Sequence, residues 1–201
     1  MDARLVSWVG AVKSRRRPGF PVVWLFTDAN RTPDPVGAVR GLPRGCGVVF
    51  RHDGVPGRPL LARAVLAACR AGGHRMVMTP PVIAGAGLHV RGGRRPDARQ
   101  MAGLVTSSAH SRLQVLRACS LGARVIFLSP LFRTQSHPGQ TPLGRLRWLR
   151  MGLGHTDRLG ALGGVSAATV RALPPSCAGF GAIGGLADCG PAATVFHDCH
   201  A

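Results

Sequence analysis

The sequence predicts an α/β protein built as a single (β/α)8 TIM barrel. Three observations carry this reading. Short apolar runs recur along the chain at spacings that leave room for helical segments between them. Several runs end abruptly in polar or glycine-rich stretches, as barrel strands do where they present side chains at the carboxyl face. The clearest is Arg124-Val125-Ile126-Phe127-Leu128, which breaks at Pro130 into a loop with Thr134, Ser136 and His137.

Taken in order, residues 1–20 read as a leading helix, with Leu5, Trp8, Val9 and Val12 at helical spacing before the basic turn Arg15-Arg16-Arg17. The barrel is expected over residues 21–186. Its first strand is the run Pro21 to Phe26, closed by Thr27-Asp28; Pro33, Pro35 and Gly37 mark a loop. Gly47-Val48-Val49-Phe50 forms the second strand, exiting into Arg51-His52-Asp53. A helix follows over residues 58–71, with Leu60, Leu61, Ala64, Val65 and Ala68 on one side. Arg75–Met78 and Gly87–Val90 are the third and fourth strands. Thr79-Pro80-Pro81 leaves little or no helix between them.

The fifth strand begins at Leu104 and ends in Ser107-Ser108-Ala109-His110, and the sixth is the run before Pro130. The seventh is Leu159–Val165, and Gly179–Ile183 the eighth. Intervening helices take Leu113, Val115 and Leu116, then Leu146, Trp148 and Leu149, as apolar positions. Residues 187–201 show no period and read as an irregular tail.

A formal charge of +18 invites a nucleic-acid partner, but its composition argues otherwise. Lys13 is the single lysine, every acid is Asp, and aromatic residues are 5% of the chain, so stacking platforms are scarce. Arginine-rich, alanine-rich composition of this kind reads as GC-rich coding rather than a designed patch. No run approaches the roughly 18 apolar residues of a membrane helix. A cytoplasmic protein with neither nucleic-acid nor membrane partner is expected. The six cysteines are widely spaced, and Cys69 and Cys119 read as small hydrophobes within helices. Asp188, His197, Asp198, Cys199 and His200 have no recognised zinc spacing, so no metal is expected there.

Three segments resemble a known family: Ser108-Ala109-His110-Ser111, Pro130 to His137, and Ala161-Leu162-Gly163-Gly164-Val165. They occur in the order and approximate spacing of the thiamine phosphate synthase family and its TenI-like thiazole tautomerase branch. Leu25-Phe26-Thr27-Asp28 and Val49-Phe50-Arg51 fit the same scheme, and the resemblance spans roughly residues 22–186. It implies a (β/α)8 barrel that joins an aminopyrimidine pyrophosphate to a thiazole phosphate or, in the tautomerase branch, aromatises the thiazole.

Carried over residue by residue, the resemblance places a phosphate among Thr134, Ser136, Gly163, Gly164, Gly184 and Gly185, with a helix beginning at Ser166-Ala167. Close strand–helix packing is the other use of such paired glycines. Arg51, Ser108 and His137 would face the substrate or its pyrophosphate. The family's pattern is broken where it binds magnesium: Asp53 stands for a lysine, Thr79-Pro80 for Asn-Asp, and Gly92-Gly93-Arg94-Arg95 spans a second expected Asp. No cofactor is therefore expected, and magnesium belongs only to a synthase reading in which arginines such as Arg91, Arg94 and Arg95 hold the pyrophosphate. His110 is the candidate catalytic acid/base, since an imidazole titrates near neutrality. His89, inside a strand, reads as a satisfied barrel residue. Three functions stay open: a tautomerase-like enzyme, a synthase with an altered pyrophosphate site, and a non-catalytic barrel that binds a phosphorylated ligand.

Overall fold

The structure is a computed structural model that describes residues 20–92, 96–97, 103–134 and 139–183. The expected leading helix, the tail and, among candidate site residues, Ser136, His137, Gly184 and Gly185 lie outside the described residues, as do Arg94 and Arg95.

Eight strands close into a parallel barrel: β1 Val23–Phe26, β2 Gly47–Phe50, β3 Arg75–Met78, β4 Gly87–Arg91, β5 Val105–Ala109, β6 Val125–Leu128, β7 Leu159–Ala161 and β8 Gly179–Ala182. Each pairs with the next, and β8 closes on β1 with Val23 opposite Phe180. Alternation along each strand separates two cores. Outward residues such as Leu25, Val48, Met78, Leu88, Ile126 and Phe180 pack with Val65, Val115 and Trp148 of the helices. Inward residues Trp24, Phe26, Val49, Val77, Val125, Phe127 and Leu162 fill the barrel.

The interior holds three large rings because neighbouring strands carry glycine. A Cβ at Gly47 would lie 2.1 Å from the Trp24 ring, and one at Gly181 would lie 2.4 Å from Phe26. Phe127 meets Trp24 and Phe26 edge to face, at centroid distances of 5.5 and 4.7 Å, the arrangement ring quadrupoles favour. The buried indole N–H groups are satisfied: Trp24 donates to the Pro21 carbonyl and Trp148 to the Leu128 carbonyl, both at 3.0 Å.

Helices α1 Pro35–Arg40, α2 Arg58–Ala71, α3 Arg112–Ser120 and α4 Gly144–Met151 clothe the barrel. The stretch from Thr79 to Ala86 has no helix, as Thr79-Pro80-Pro81 predicts. Other expectations need correction. Residues 33–37 are not simply loop: Asp34 caps α1 by accepting the Gly37 N–H at 2.9 Å, and Pro35 occupies the first turn, where a missing N–H costs nothing. Helix α2 buries the expected Val65 and Ala68 together with Ala62, Leu66 and Cys69, whereas Leu60 is 69% exposed.

Leu113, Leu116 and Leu146 are likewise exposed, while Val115, Ala118 and Trp148 face the barrel. Strand β7 stops at Ala161, and no α-helix begins at Ser166. The Ser166 N–H instead donates to the Thr169 hydroxyl at 2.9 Å, leading into a 3-10 turn at Val170–Ala172. Ser and Thr side chains compete for backbone groups in this way and disfavour a regular helix.

Candidate functional site

The strand exits gather the polar side chains at one end of the barrel, and the two halves of that mouth are built differently. On the β1–β4 half, Thr27 and His52 form a chain whose proton positions follow from the partners. His52 Nε2 lies 3.1 Å from the Thr32 carbonyl, which can only accept, so Nε2 carries the proton. Burial lowers the His52 pKa, leaving Nδ1 unprotonated to accept from the Thr27 hydroxyl at 3.0 Å. Thr27 Oγ1 in turn accepts the Arg51 N–H at 3.2 Å. The His52 ring stacks on Phe50 at 4.9 Å. This chain joins the exits of β1 and β2 and fixes the backbone from which Arg51 projects.

The Arg51 guanidinium lies 5.4 Å from the Phe26 ring centroid, a cation–π contact across the barrel mouth. Its nearest carboxylate, Asp28, is 3.8 Å away, beyond hydrogen-bond distance. Burial pulls the Arg51 pKa below its ordinary value, though arginine stays charged. Asp53 is the hub beside it. Its Oδ1 accepts from the Thr79 hydroxyl at 2.6 Å and lies 3.3 Å from Arg58 Nη2, while Oδ2 accepts from Arg91. Arg58, buried, also donates to the Thr79 and Pro81 carbonyls at 2.6 and 3.2 Å and packs over Phe50.

The two carboxylates on this rim are thus already engaged by guanidinium groups. Among the described residues, no cluster of three or more His, Cys or Asp side chains converges on a point that could hold a metal. Magnesium, which the resemblance implies for a synthase, does not fit these residues. It prefers oxygen ligands in near-octahedral array. Thr79 stands at one position where the resemblance expects acids, and of the stretch spanning the other, residues 92–95, only Gly92 is among the described residues.

Below the arginines, His89 is a buried barrel residue, as its place in a strand suggests. Its Nδ1 lies 2.8 Å from the Thr106 hydroxyl and its ring meets Phe26 edge to face. Burial first, then the positive charges of Arg51 and Arg91, lower its pKa to about 3.

The β5–β7 half carries fewer charges. Ser111 caps α3 by accepting the Gln114 N–H at 3.3 Å, and Gln114 reaches back to the His110 N–H at 2.7 Å. This reciprocal arrangement, close to a capping box, fixes the backbone at the exit of β5. The exposed His110 ring has Nδ1 3.1 Å from the Ser129 carbonyl at the exit of β6. The Ser129 hydroxyl lies 3.3 Å from the same nitrogen, so Ser129 holds the ring through both its carbonyl and its hydroxyl. In the tautomer whose Nδ1 donates to the carbonyl, Nε2 presents a lone pair. Ser108 is half-buried, in register with Arg91 on β4. Thr134 is half-buried in the loop after β6.

Gly163 and Gly164 have φ of +86° and +67°, where side chains are strained. A Cβ at Gly163 would lie 2.8 Å from Pro130, and one at Gly164 would lie 2.1 Å from the Arg133 carbonyl oxygen. Their own carbonyls accept from the Phe132 N–H at 3.1 Å and the Thr169 hydroxyl at 2.8 Å. Close packing between the β6 and β7 loops therefore accounts for both glycines.

The structure brings together what sequence spacing left apart. Arg51 meets Asp28, and Asp53 gathers Arg58, Thr79 and Arg91 across three strand exits. His52, Arg58 and Ser129 were not singled out from the sequence. The only local sign of the first was its place at a strand exit, and nothing in the sequence marks a helix arginine such as Arg58 as buried.

Barrel closure and polar strand exits together define a (β/α)8 protein with a candidate site at the carboxyl face. Among solved structures it is similar to a thiamine phosphate pyrophosphorylase from Pyrococcus furiosus, with a TM-score of 0.67 and 15% identity over 85% of this chain and 92% of that one. It is also similar to an HpcH/HpaI aldolase from Desulfitobacterium hafniense, at a TM-score of 0.54 and 13% identity over 81% and 86% of the two chains. The native KDPGal structure is similar at 0.54 and 14%, over 83% and 84%. Identities this low establish a shared fold. No protein-family model and no curated protein matches the sequence.

Proposed function

We propose that the barrel binds a thiazole phosphate at its carboxyl face and transfers a proton on the heterocycle, with His110 as the acid/base. The observation that carries this reading is the Nδ1 contact to the Ser129 carbonyl. It suits the tautomer in which Nε2 is the basic nitrogen and ties the ring to the exits of two strands, which supports an acid/base role. Thr134, Ser136, Gly163, Gly164, Gly184 and Gly185 are the proposed phosphate contacts, and Ser108 and His137 the proposed substrate contacts. Arg51 and Arg91 on the opposite half would attract the anion to the mouth. Proton transfer of this kind needs no cofactor, and the similarity to a thiamine phosphate pyrophosphorylase supports a barrel suited to such ligands.

A non-catalytic, phosphate-binding barrel is the second reading, favoured by one observation: loop packing already explains Gly163 and Gly164. The synthase reading is weaker, because Asp53 is committed to Arg58, Arg91 and Thr79.

The test supplies the non-aromatic thiazole phosphate tautomer and follows aromatisation by absorbance, with calorimetry on the aromatic product. Wild type should turn over without added magnesium. His110→Asn should lose about 10²–10⁴-fold in rate while keeping its affinity. Loss of affinity and rate together would make His110 a binding residue. Tight binding by an inert wild type would leave the non-catalytic reading.

A further inference from the structure

Helices α3 and α4 expose apolar side chains where a barrel's outer surface is ordinarily polar. Five large hydrophobic residues are exposed among the described residues, and four belong to this pair and its edge: Leu113 (56%), Leu116 (38%), Leu146 (75%) and Leu153 (69%). On α3, Leu113, Leu116 and Arg117 share one face at helical spacing. On α4, Leu146 and Arg150 do the same, and Leu153 follows in the turn after Met151. The two elements are joined by Arg112, whose Nη1 reaches the carbonyls of Met151 and Leu153, each at 3.3 Å.

The charge of this surface is predominantly positive. From Arg112 to Thr156 the sequence contains no acidic residue, while Arg112, Arg117, Arg124, Arg133, Arg145, Arg147 and Arg150 are all exposed. The nearest acid in the chain beyond them, Asp157, is paired with Arg158 at 3.9 Å. Seven arginines against one acid favour an anionic occupant, and the protruding leucines call for one that also accepts apolar side chains.

A second copy of the same face would set arginine against arginine, so self-association through it is opposed by charge. Nucleic acid would use the arginines but not the leucines, and none of the exposed large apolar side chains is an aromatic ring on which a base could stack. An acidic protein would need pockets matched to leucines standing on two separate elements. A layer of anionic headgroups yields to side chains of any arrangement and supplies phosphates to the arginines.

We propose that the α3–α4 face docks on an anionic lipid surface, with Leu113, Leu116, Leu146 and Leu153 entering the headgroup layer. The expectation of no membrane partner rested on the lack of a spanning segment, which surface contact does not require. No helix among the described residues is long and apolar enough to cross a membrane, so the contact is peripheral. The proposal is independent of what the barrel mouth binds.

Sedimentation with vesicles tests it, using phosphatidylcholine alone or with about one-third phosphatidylglycerol at roughly 0.15 M salt. Wild type should pellet with the anionic vesicles and remain in solution with the neutral ones. Leu113→Ser/Leu146→Ser, both at exposed positions, should weaken partitioning about tenfold with an unchanged circular dichroism spectrum. Arg117→Ser/Arg150→Ser should weaken it at least as much. The pair Arg63→Ser/Arg70→Ser removes equal charge from exposed positions on α2 and should leave binding within about twofold. Equal loss from the α2 pair, or no loss from the leucine pair, would overturn the proposal in favour of charge alone. So would single-stranded RNA that binds wild type and the leucine variant equally and displaces both from vesicles, which would mark a nucleic-acid surface.

Discussion

The two halves of the barrel mouth satisfy their polar groups in opposite ways. On the β1–β4 half, side chains answer one another: His52 completes Thr27, Asp53 gathers Arg58, Thr79 and Arg91, and Asp28 lies near Arg51. On the β5–β7 half, loops are stitched by backbone and glycine, and His110 is held through Nδ1, with no partner at Nε2 among the described residues. A charged network with internal partners is a structure that fixes geometry, whereas a half-satisfied imidazole is a group available for chemistry.

The comparison breaks most sharply at Gly164. Gly164→Val would place a Cβ within 2.1 Å of the Arg133 carbonyl at a left-handed φ of +67°. Two mechanisms then add, overpacking and backbone strain, and a loss of about 3–5 kcal/mol in urea unfolding is expected. The same substitution is therefore unsuited to testing ligand affinity. A variant as stable as wild type would show that the β6 and β7 loops can separate freely, and would weaken the view of this half as rigidly stitched.

Removing the hub of the other half should cost less. Asp53→Ala leaves Arg58 with the Thr79 and Pro81 carbonyls but no carboxylate. A loss of about 2 kcal/mol is expected, and Asp53→Asn, which keeps an acceptor for the Thr79 hydroxyl, should lose roughly half of that. Stability unchanged in both would mean that the carbonyls alone hold Arg58.

Much of this was legible in the sequence, for a physical reason: parallel strands buried on both faces leave continuous apolar runs with abrupt polar ends. Val23–Phe26, Gly47–Phe50 and Val125–Leu128 are therefore found within a residue or two. Helix orientation was not legible in the same way. Val65, Ala68, Val115 and Trp148 were read as apolar positions and are buried, but Leu60, Leu113, Leu116 and Leu146, read with them, are exposed, and Ala62, Leu66 and Ala118 were not singled out. Asp34 before Pro35 was a readable cap for α1, masked by the prolines that marked a loop. At the site, His110 and Arg51 were recognisable at strand exits. The partners that give them meaning, Ser129 and Asp28, could be joined to them only once the barrel had closed.

The smallest effect probes the arginine-rich half by pH. His52 and His89 both have pKa values lowered by burial, His89 to about 3, and both belong to the arginine-rich half. Each is neutral in the fold, and His52 must stay so for Nδ1 to accept from Thr27. In the unfolded chain each histidine takes up a proton near pH 6.5. The unfolded state thus binds more protons below that pH, and stability falls as the medium acidifies. The full contribution is present above the unfolded pKa and is lost on descent toward the folded one, which for His89 extends the window to about pH 3. The slope cannot exceed about 1.4 kcal/mol per pH unit for each group. Urea midpoints measured between about pH 7 and pH 5 should fall for wild type and fall less for His89→Gln. A His89 variant that declines as steeply as wild type would place the acid sensitivity outside the barrel interior.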